Sequence, residues 1–240
     1  MSERLDHERE HGRKIKNNAE AVWNWASPAG RVRADRRAKY IYTLGKYKAG
    51  QKLLEIGCGT GLFTGKVYDA TKADIVAIDI SEDLLEIARK TYPNVEFKID
   101  DAMNLSFHAN SFDGVFGSSI LHHLDMKRAM EEIYRVLKPG GNAVFAEPNM
   151  VNPQIFIQKN VPFIKKALGD SPDETAVVRW KMKKMMEGIG YKNVRIFPYD
   201  FLHPATPGFL IPVVNGIGKV VEQIPLLREI AGSHIIYGEK

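Results

Sequence analysis

The feature that most constrains the fold of this chain is a short apolar strand that runs directly into three glycines at every second position. The segment reads Leu53-Leu54-Glu55-Ile56-Gly57-Cys58-Gly59-Thr60-Gly61. Glycine adopts positive φ angles with little strain and lets a ligand approach the backbone, because no Cβ stands in the way. The segment therefore predicts a ligand-binding loop that follows the first strand of an open α/β sheet.

Two well-known glycine loops do not fit this spacing. The dinucleotide fingerprint G-x-G-x-x-G needs a third glycine where the chain has Leu62 or Thr64. The Walker phosphate loop needs Ser or Thr after Gly65-Lys66, where the chain has Val67. The spacing therefore argues against a nicotinamide or flavin pyrophosphate and against a phosphate loop of the Walker type.

Apolar runs alternate with helical stretches between residues 52 and 150. The predicted strands are Lys52–Ile56, Ile75–Ile80, Val95–Ile99, Phe112–Gly117 and Asn142–Glu147. The predicted helices between them are Gly61–Thr71, Ser81–Tyr92 and Asp125–Leu137. Because neighbouring parallel strands need crossover connections, this alternation predicts a parallel sheet covered by helices on both faces. Ser81 is the expected N-cap of the second helix, and Pro139-Gly140-Gly141 is expected to end the third.

The segments on either side of this region are expected to be additions to one domain. Residues 1–50 are basic and helical and predict an N-terminal lid on a domain that covers residues 51–240. The later part of the chain predicts a helix over Thr175–Ile189 and strands over Asn193–Pro198 and Ser233–Gly238. Two insertions are expected, a substrate-side one around residues 151–175 and an apolar one around residues 201–232.

The glycine segment resembles the first motif of the class I S-adenosylmethionine-dependent methyltransferases, which has the form E/D-x-G-x-G-x-G. Further segments resemble later motifs of that family in the same order, over roughly residues 50–150. They are Asp79 at the end of the second strand, Asp100-Asp101-Ala102 after the third, the run from Phe112 to Leu124, and Leu137-Lys138-Pro139-Gly140-Gly141 before the fifth.

The resemblance implies a fold and a cofactor. The fold class is α/β, a three-layer Rossmann-like methyltransferase fold with a mostly parallel seven-stranded sheet and an antiparallel C-terminal strand. The cofactor is S-adenosylmethionine, which leaves as S-adenosylhomocysteine. In the family, the acid at the Asp79 position accepts the ribose hydroxyls, and the acid matched better by Asp101 than by Asp100 accepts from the adenine amine. The expected cofactor-binding residues are Glu55, Gly57, Cys58, Gly59, Gly61, Asp79, Ile80, Asp101, Ala102 and Ser118.

Two adjacent histidines are the candidate catalytic residues. His122 and His123 directly follow the fourth strand, at the edge where open α/β sheets bind ligands. A base is needed if the acceptor is a hydroxyl or a protonated amine, and histidine suits that role near neutral pH. His122 is the preferred candidate. A metal site built from His122, His123 and Glu147 is conceivable, but nothing in the spacing requires it, and no metal is expected.

Motifs that the sequence lacks narrow the range of possible methyl acceptors. The fourth strand is followed by Ser118-Ser119-Ile120-Leu121 rather than the D/N-P-P-Y/F of enzymes that methylate base amino groups, so a nucleic acid is not expected as a partner. A small-molecule or lipid-like acceptor, methylated on O or N, is the favoured substrate. Trp180, a methionine cluster and the apolar insertion are candidates for its pocket, and the insertion also fits sheet packing, a homodimer contact or peripheral membrane contact.

Composition and charge set the remaining bounds. Cys58 is the only cysteine, which excludes an internal disulfide and a multi-cysteine metal site and fits a reducing cytoplasm. Much of the charge of +5 comes from basic residues near the N-terminus, which are expected to form a solvated helix face, with phosphate or membrane binding as the alternatives. These residues are Arg13, Lys14, Lys16, Arg31, Arg33, Arg36, Arg37 and Lys39. Neither a signal peptide nor a membrane-spanning segment is expected.

Three alternatives to methylation of a small soluble molecule stay open at this point. The same cofactor site could support aminopropyl transfer from decarboxylated cofactor. The domain could be a scaffold that binds cofactor without turnover. The chain could also be a membrane-associated lipid methyltransferase, in which the basic N-terminus and the apolar insertion act together.

Overall fold

A central sheet of seven strands organises the computed structural model, which describes residues 2–167 and 174–240. The strands are β1 Lys52–Ile56, β2 Asp74–Asp79, β3 Glu96–Ile99, β4 Phe112–Ser118, β5 Leu137–Pro148, β6 Lys192–Tyr199 and β7 Ser233–Glu239. Their order across the sheet is β3-β2-β1-β4-β5-β7-β6, and β7 runs antiparallel to both of its neighbours. The predicted fold class is confirmed, including the antiparallel C-terminal strand.

Helices cover both faces of this sheet, which gives three layers. The helices are α1 Ser2–Ile15, α2 Ala19–Val22, α3 Pro28–Gly45, α4 Leu62–Thr71, α5 Glu82–Thr91, α6 Met126–Val136, α7 Pro153–Asn160, α8 Pro162–Ala167, α9 Arg179–Ile189 and α10 Ile211–Val221. Successive strand residues point to opposite faces. In β1, Leu54 packs in the core with α6 and α9, whereas Leu53 packs with α3, α4 and α5.

The fifth strand begins earlier than its sequence predicts. Helix α6 ends at Val136, and the chain is already extended at Leu137, which pairs with Phe112 of β4. Pro139-Gly140-Gly141 therefore lies inside β5, where the sequence predicted only a helix stop. Gly140 has a φ of +78°, and its amide donates to the carbonyl of Lys240 at 3.0 Å, so the C-terminal residue supports the bend.

Two helix starts differ from the sequence-based expectation. Helix α9 begins at Arg179 rather than at Thr175, because Val177 is extended and bridges Asn149. Ser81 does occupy the N-cap position of α5, but its side chain makes no capping hydrogen bond. The hydroxyl is instead buried against Gly12 of α1, where a Cβ on that glycine would lie 2.3 Å from the Ser81 Oγ.

The first 50 residues pack onto the sheet domain through α1 and α3. Ser27 caps α3 by accepting from the amide of Gly30 at 2.9 Å, and one stripe of α3 is buried. Residues 168–173, within the insertion expected around 151–175, lie outside the described residues. The apolar insertion forms α10 flanked by short 3₁₀ turns at Gly208–Leu210 and Leu227–Ile230. Among the described helices, none has the length and apolar character to cross a membrane.

Candidate active site

A cavity of about 770 Å³ lies at the carboxyl end of the parallel strands. Its walls come from the loops after β1 to β5, from the N-terminal segment and from the start of the second insertion. Of the expected site residues, the cavity is lined by Gly57, Cys58, Gly59, Asp79, Ile80, Asp101, Ala102, Ser118, His122 and His123. Glu55 and Gly61 do not line it. The topology thus brings most of the expected residues to one edge of the sheet.

The first two glycines of the motif turn the chain below this cavity. Gly57 and Gly59 have φ angles of +66° and +53°, which side chains rarely adopt. A Cβ on Gly59 would lie 2.9 Å from Cη2 of Trp23, and a Cβ on Gly57 would lie 2.4 Å from Cγ1 of Ile120. The N-terminal segment therefore places an indole over the glycine loop.

Glu55 and Gly61 serve the architecture behind the loop. The Glu55 carboxylate is buried beneath it and hydrogen-bonds the Thr64 hydroxyl at the start of α4. Burial raises the pKa of Glu55 to about 8. Gly61 has a φ of +84°, and a Cβ there would meet Tyr92 at 3.0 Å. Both residues thus hold α4 and α5 close to β1, and neither faces the cavity where the sequence placed it.

Cys58 is buried between the first two motif glycines. Burial, with the nearby carboxylates of Asp79 and Glu55 adding to it, raises the pKa of the Cys58 thiol well above its usual value. The side chain therefore remains a neutral thiol at physiological pH and is unsuited to act as a nucleophile.

Asp79 connects the ends of β1 and β2. One of its oxygens accepts from the amide of Gly59 at 2.8 Å, and the other accepts from the amide of Ser81 at 2.9 Å. The carboxylate is half-buried at the cavity wall, next to Ile80. It therefore fixes the glycine loop and presents negative charge to the cavity from the same position.

The two acids after β3 have different partners. The carboxylate of Asp100 accepts from the amides of Asp101 and Ser106, both at 3.0 Å, and from the Ser106 hydroxyl. Asp101 accepts from the amide of Met103 at 2.8 Å through one oxygen only. Since both oxygens of Asp100 are used within the loop, this arrangement favours Asp101 as the acid that faces a ligand.

His122 is enclosed between two carboxylates. Its Nδ1 lies 2.7 Å from Oε2 of Glu147, and its Nε2 lies 3.5 Å from Oε1 of Glu174. The other oxygen of Glu147 accepts from the amides of Ile120 and Leu121 at 2.9 Å. Burial opposes protonation, but the hydrogen bonds to the two carboxylates outweigh it and raise the pKa of His122 to about 9. His122 is therefore an imidazolium at neutral pH.

His123 stacks against His122 and is the more accessible of the two. The ring centroids are 4.2 Å apart, and 21% of the His123 side chain is exposed, against 6% for His122. Its Nδ1 lies 4.0 Å from Oε2 of Glu174. Glu174, which the sequence did not single out, thus contacts both imidazoles.

These side chains are the candidate metal ligands among the described residues. Donor atoms of His122, His123 and Glu174 all lie within 4.8 Å of one another. Glu147, which the sequence suggested as a ligand beside the histidines, instead binds Nδ1 of His122. The ammonium of Lys159 forms an ion pair with Glu174. A positive charge therefore already stands where a metal ion would have to bind.

Arg37 is a cavity residue that the sequence assigned to a solvated face. Its side chain lines the cavity and is buried, and its Nη1 donates to the hydroxyls of Ser118 at 3.1 Å and Ser119 at 2.6 Å. Arg33 and Arg36 also turn inward and pair with Asp200 and Glu222. The solvated-face interpretation is wrong for these three arginines.

The spacing of small residues along α3 contained a signal for this burial. The buried residues of α3 are Ala29, Gly30, Ala34, Arg37, Ala38, Ile41 and Gly45. Arg37 thus follows Ala34 by three residues and precedes Ile41 by four, which places it on the stripe that faces the protein.

Only the two ends of the apolar insertion, residues 201–205 and Gly232, reach the cavity. Residues 201–205 line it, whereas Phe209, Val213, Ile217 and Val220 are exposed. Of the methionine cluster, Met182 and Met186 are buried in the core under α9, and Trp180 lines a separate apolar groove. The expectation that this helix and the insertion together build the acceptor pocket is thus wrong for most of these residues.

The sheet order, the crossover helices and a ligand cavity at the carboxyl edge define the Rossmann-like methyltransferase architecture. Residues 53–141 match the family described as a methyltransferase domain. The chain therefore carries a methyltransferase domain of the class I S-adenosylmethionine-dependent type, and the cofactor of that class is S-adenosylmethionine.

Several proteins of known sequence or structure are similar to this chain. An uncharacterized methyltransferase-like protein of Schizosaccharomyces pombe is 30% identical over 70% of this chain and 64% of its own length. A demethylmenaquinone methyltransferase of Paenarthrobacter aurescens is 39% identical over 42% of this chain and 40% of its own. The chain thus spans less than two thirds of the length of either relative.

The crystal structure of a SAM-dependent methyltransferase of Thermotoga maritima has a TM-score of 0.64, with 19% identity over 94% of this chain and 98% of that one. At this identity the likeness shows a shared fold. It extends beyond the matched domain to nearly the whole chain.

The residues at the cavity fit the cofactor of this class. Gly57 and Gly59 leave the backbone open to close approach, and Asp79 and Asp101 supply acceptors for hydroxyl and amino donors. The volume falls in the range of roughly 300–1,000 Å³ that is usual for small-molecule sites. When bound, this cofactor supplies an activated methyl group on a sulfonium.

Proposed function

We propose that this protein transfers a methyl group from S-adenosylmethionine to an oxygen or nitrogen atom of a small or amphipathic acceptor. One observation carries the proposal: the same cavity has an acidic half, next to the glycine loop and lined by Asp79 and Asp101, and a half lined by His122 and His123. The first half suits a nucleoside, and the second suits an acceptor that has to lose a proton.

In the cofactor half, we assign Gly57 and Gly59 to backbone contact, Asp79 to the ribose and Asp101 to the adenine. The carboxylate of Asp79 already bonds two loop amides, so the loop is shaped before ligand binds. Cys58, Ile80 and Ala102 complete the walls of the proposed site, and Ser118 at the end of β4 lies where the two halves meet. Preorganisation of this kind is the main contribution a protein can make when the cofactor brings its own reactivity.

In the acceptor half, we assign the proton transfer to His123 and a positioning role to His122. An imidazolium with a pKa of about 9 cannot accept a proton at neutral pH, which argues against His122 as the base. His123 lines the same cavity and is partly exposed. In the proposed step, the acceptor's oxygen or nitrogen would form a bond to the methyl carbon while the sulfonium–methyl bond breaks and its electron pair stays on the sulfur of S-adenosylhomocysteine. The proton that the acceptor loses would move to the imidazole of His123.

Labelled S-adenosylmethionine and a cell extract provide the direct test of function. Purified protein should pass label to one chromatographic fraction of small molecules, and Asp79→Asn should abolish the transfer. Asp69→Asn is the matched control, because that carboxylate is exposed on α4, away from the cavity, and forms an ion pair with Lys72 three residues later. Binding of S-adenosylmethionine without transfer to any fraction would point to a scaffold, and tighter binding of the decarboxylated cofactor would point to aminopropyl transfer.

Methylation of a lipid at a membrane surface is the second candidate. Val213, Ile217 and Val220 of α10 are more than half exposed and are spaced to lie on one helix face. Their burial in a bilayer interface would explain an exposed apolar row beside a cavity. Co-sedimentation with phosphatidylglycerol vesicles should then fall for Ile217→Glu and be retained for Ile99→Glu, an exposed apolar position on edge strand β3.

A further inference from the structure

Arg37 is bonded to hydroxyl groups and to no carboxylate, which sets it apart from its neighbours on α3. Arg33 pairs with Asp200 at 2.7 Å, and Arg36 pairs with Glu222. Arg37 is the most buried of the three, with 2% exposure. Among the side chains that the structure describes, no carboxylate oxygen lies within 4.0 Å of its guanidinium. Burial of an unneutralised charge is costly, so such a cation usually marks the place of an anion.

The hydrogen bonds of Arg37 leave it able to bind a further acceptor. Its Nε donates to the Tyr199 hydroxyl at 3.1 Å, Nη1 donates to Ser118 and Ser119, and Nη2 donates to Ser233 at 2.9 Å. A guanidinium has five N–H donors, and these bonds use four of them. The fifth is on Nη2, and the serine hydroxyls around it can turn their own protons toward a ligand.

The topology places Arg37 in the acceptor half of the cavity. Ser118 ends β4, Tyr199 ends β6 and Ser233 begins the antiparallel β7, so all three lie at the carboxyl edge on one side of β1. Asp79 and Asp101 follow β2 and β3 on the other side. The nucleoside half is therefore acidic, and the half that contains the histidines has a buried cation.

We infer that Arg37, with the hydroxyls of Ser118, Ser119 and Ser233, binds a carboxylate or phosphate group of a molecule in the cavity. The inference rests on the proposed function and narrows its substrate class to acceptors that carry such a group. The remaining N–H of Arg37 and the serine hydroxyls beside it can together donate to the several oxygens of a planar or tetrahedral oxyanion, and the positive charge of Arg37 strengthens these hydrogen bonds. The amino-acid carboxylate of the cofactor has the same chemistry, so the experiment has to separate the two sources.

Isothermal titration of the full chain tests both sources. The first arm measures the affinities for S-adenosylhomocysteine and methylthioadenosine. Both contain a nucleoside thioether, but only S-adenosylhomocysteine has the amino-acid carboxylate. The second arm titrates inorganic phosphate into protein saturated with S-adenosylhomocysteine. The variants are Arg37→Gln, Arg37→Lys and the control Lys39→Gln, which removes the same charge from an exposed position of α3.

If Arg37 binds the acceptor, Arg37→Gln should weaken phosphate binding at least tenfold and leave the affinities for both nucleosides unchanged. If Arg37 instead binds the carboxylate of the cofactor, Arg37→Gln should weaken the binding of S-adenosylhomocysteine at least tenfold and leave the binding of methylthioadenosine unchanged. Arg37→Lys keeps the charge but has three N–H donors instead of five, so it cannot hold the four hydroxyls and a ligand at once. The affinity of this variant for the same ligand should fall severalfold, which gives a second measurement if the glutamine variant does not fold. Unchanged affinities in both folded variants would overturn the inference.

Failure of the proposed function has a different signature. If the cavity is not a cofactor site, the wild-type protein would bind neither nucleoside, and if the domain is a scaffold, it would bind both but transfer no label. In either case, phosphate titrated into the ligand-free chain would still report on Arg37.

Discussion

The Nδ1 atom of His122 lies 2.7 Å from Oε2 of Glu147, and this contact joins the loop after β4 to the end of β5. Glu147 is fully buried and has no other charged partner among the residues that the structure describes. The hydrogen bond to His122 and the two backbone amides lower the pKa of Glu147 against the opposing effect of burial. The histidine nearest the fourth strand is thus held as one half of a buried ion pair.

This ion pair makes the stability of the protein depend on pH. The pKa of His122 is raised to about 9 in the folded chain from 6.5, so the stabilising proton is fully bound below pH 6.5 and is lost as the pH rises through 9. We expect His122→Asn to be strongly destabilising at pH 6, with a deficit that shrinks by at most about 1.4 kcal/mol per pH unit between pH 6.5 and 9. Urea denaturation across this range measures it.

The control for that measurement is His108→Asn, since His108 is exposed in the loop before β4. Its free energy of unfolding should follow wild type at every pH. A deficit of the His122 variant that does not change with pH would show that packing, rather than the ion pair, is what the substitution removes.

The assignment of the base to His123 predicts different kinetics for the two histidines. His123→Asn should lower kcat by about 10²–10⁴-fold, the usual contribution of a general base, with S-adenosylhomocysteine affinity unchanged. Added imidazole should restore part of the rate if the variant leaves room for it. His122→Asn should alter the pH profile of kcat and resist this rescue, because its role is to hold Glu174 and the stacked ring. Equal rescue of both variants would contradict the division of roles.

Glu55 should make the folded state less stable as the pH rises. Burial raises its pKa from 4.5 to about 8, so between these values the unfolded chain has lost a proton that the folded chain keeps. The free energy of unfolding therefore falls with rising pH in this window. Glu55→Gln removes that dependence, and we expect its stability relative to wild type to improve by at most about 1.4 kcal/mol per pH unit. Thermal unfolding from pH 5 to 8 tests this, with the exposed Glu86→Gln as control.

Much of the sheet and of the cofactor edge is predictable from sequence because local patterns encode it. Strands β1 to β4 begin and end within one residue of their predicted bounds, since apolar runs bounded by turn residues determine them. Asp79 and Asp101 follow these strands directly, so their position at the carboxyl edge needs only the topology. Glu55 shows the limit of this reasoning, because strand alternation turns it away from the cavity toward Thr64.

The acceptor half depends on contacts between segments far apart in the chain. Glu174 meets His122 across about fifty residues of sequence, and Arg37 meets Ser233 across nearly two hundred. The periodicity of the sequence around these residues does not predict such long-range pairs. A basic run on a helix is also ambiguous, because the same charges serve a solvated face or a buried site, and only the small residues around Arg37 separate the two.

Metal chelation tests whether the ammonium of Lys159 takes the place of a metal ion beside Glu174. Because its ammonium pairs with Glu174, a divalent ion would have to displace an existing charge. We expect methyl transfer and thermal stability to be the same before and after dialysis against EDTA. Recovery of lost activity by one added divalent ion would instead assign His122, His123 and Glu174 as its ligands.

Gly59 tests whether the glycine loop is shaped for close approach of the cofactor. Its φ of +53° costs an alanine about 1–2 kcal/mol, and a Cβ there would lie 2.9 Å from the Trp23 ring. Gly59→Ala should therefore lower the unfolding free energy by about that amount and weaken S-adenosylhomocysteine binding at least about tenfold, since the added methyl group enters the space a ligand would use.

Gly216→Ala is the matched control, because a Cβ added at this exposed position of α10 would have nothing within 4 Å. That variant should gain about 0.5–1 kcal/mol of stability and bind the nucleoside as wild type does. If Gly59→Ala is less stable than wild type but binds S-adenosylhomocysteine equally well, Gly59 is needed only for the turn and for its contact with Trp23.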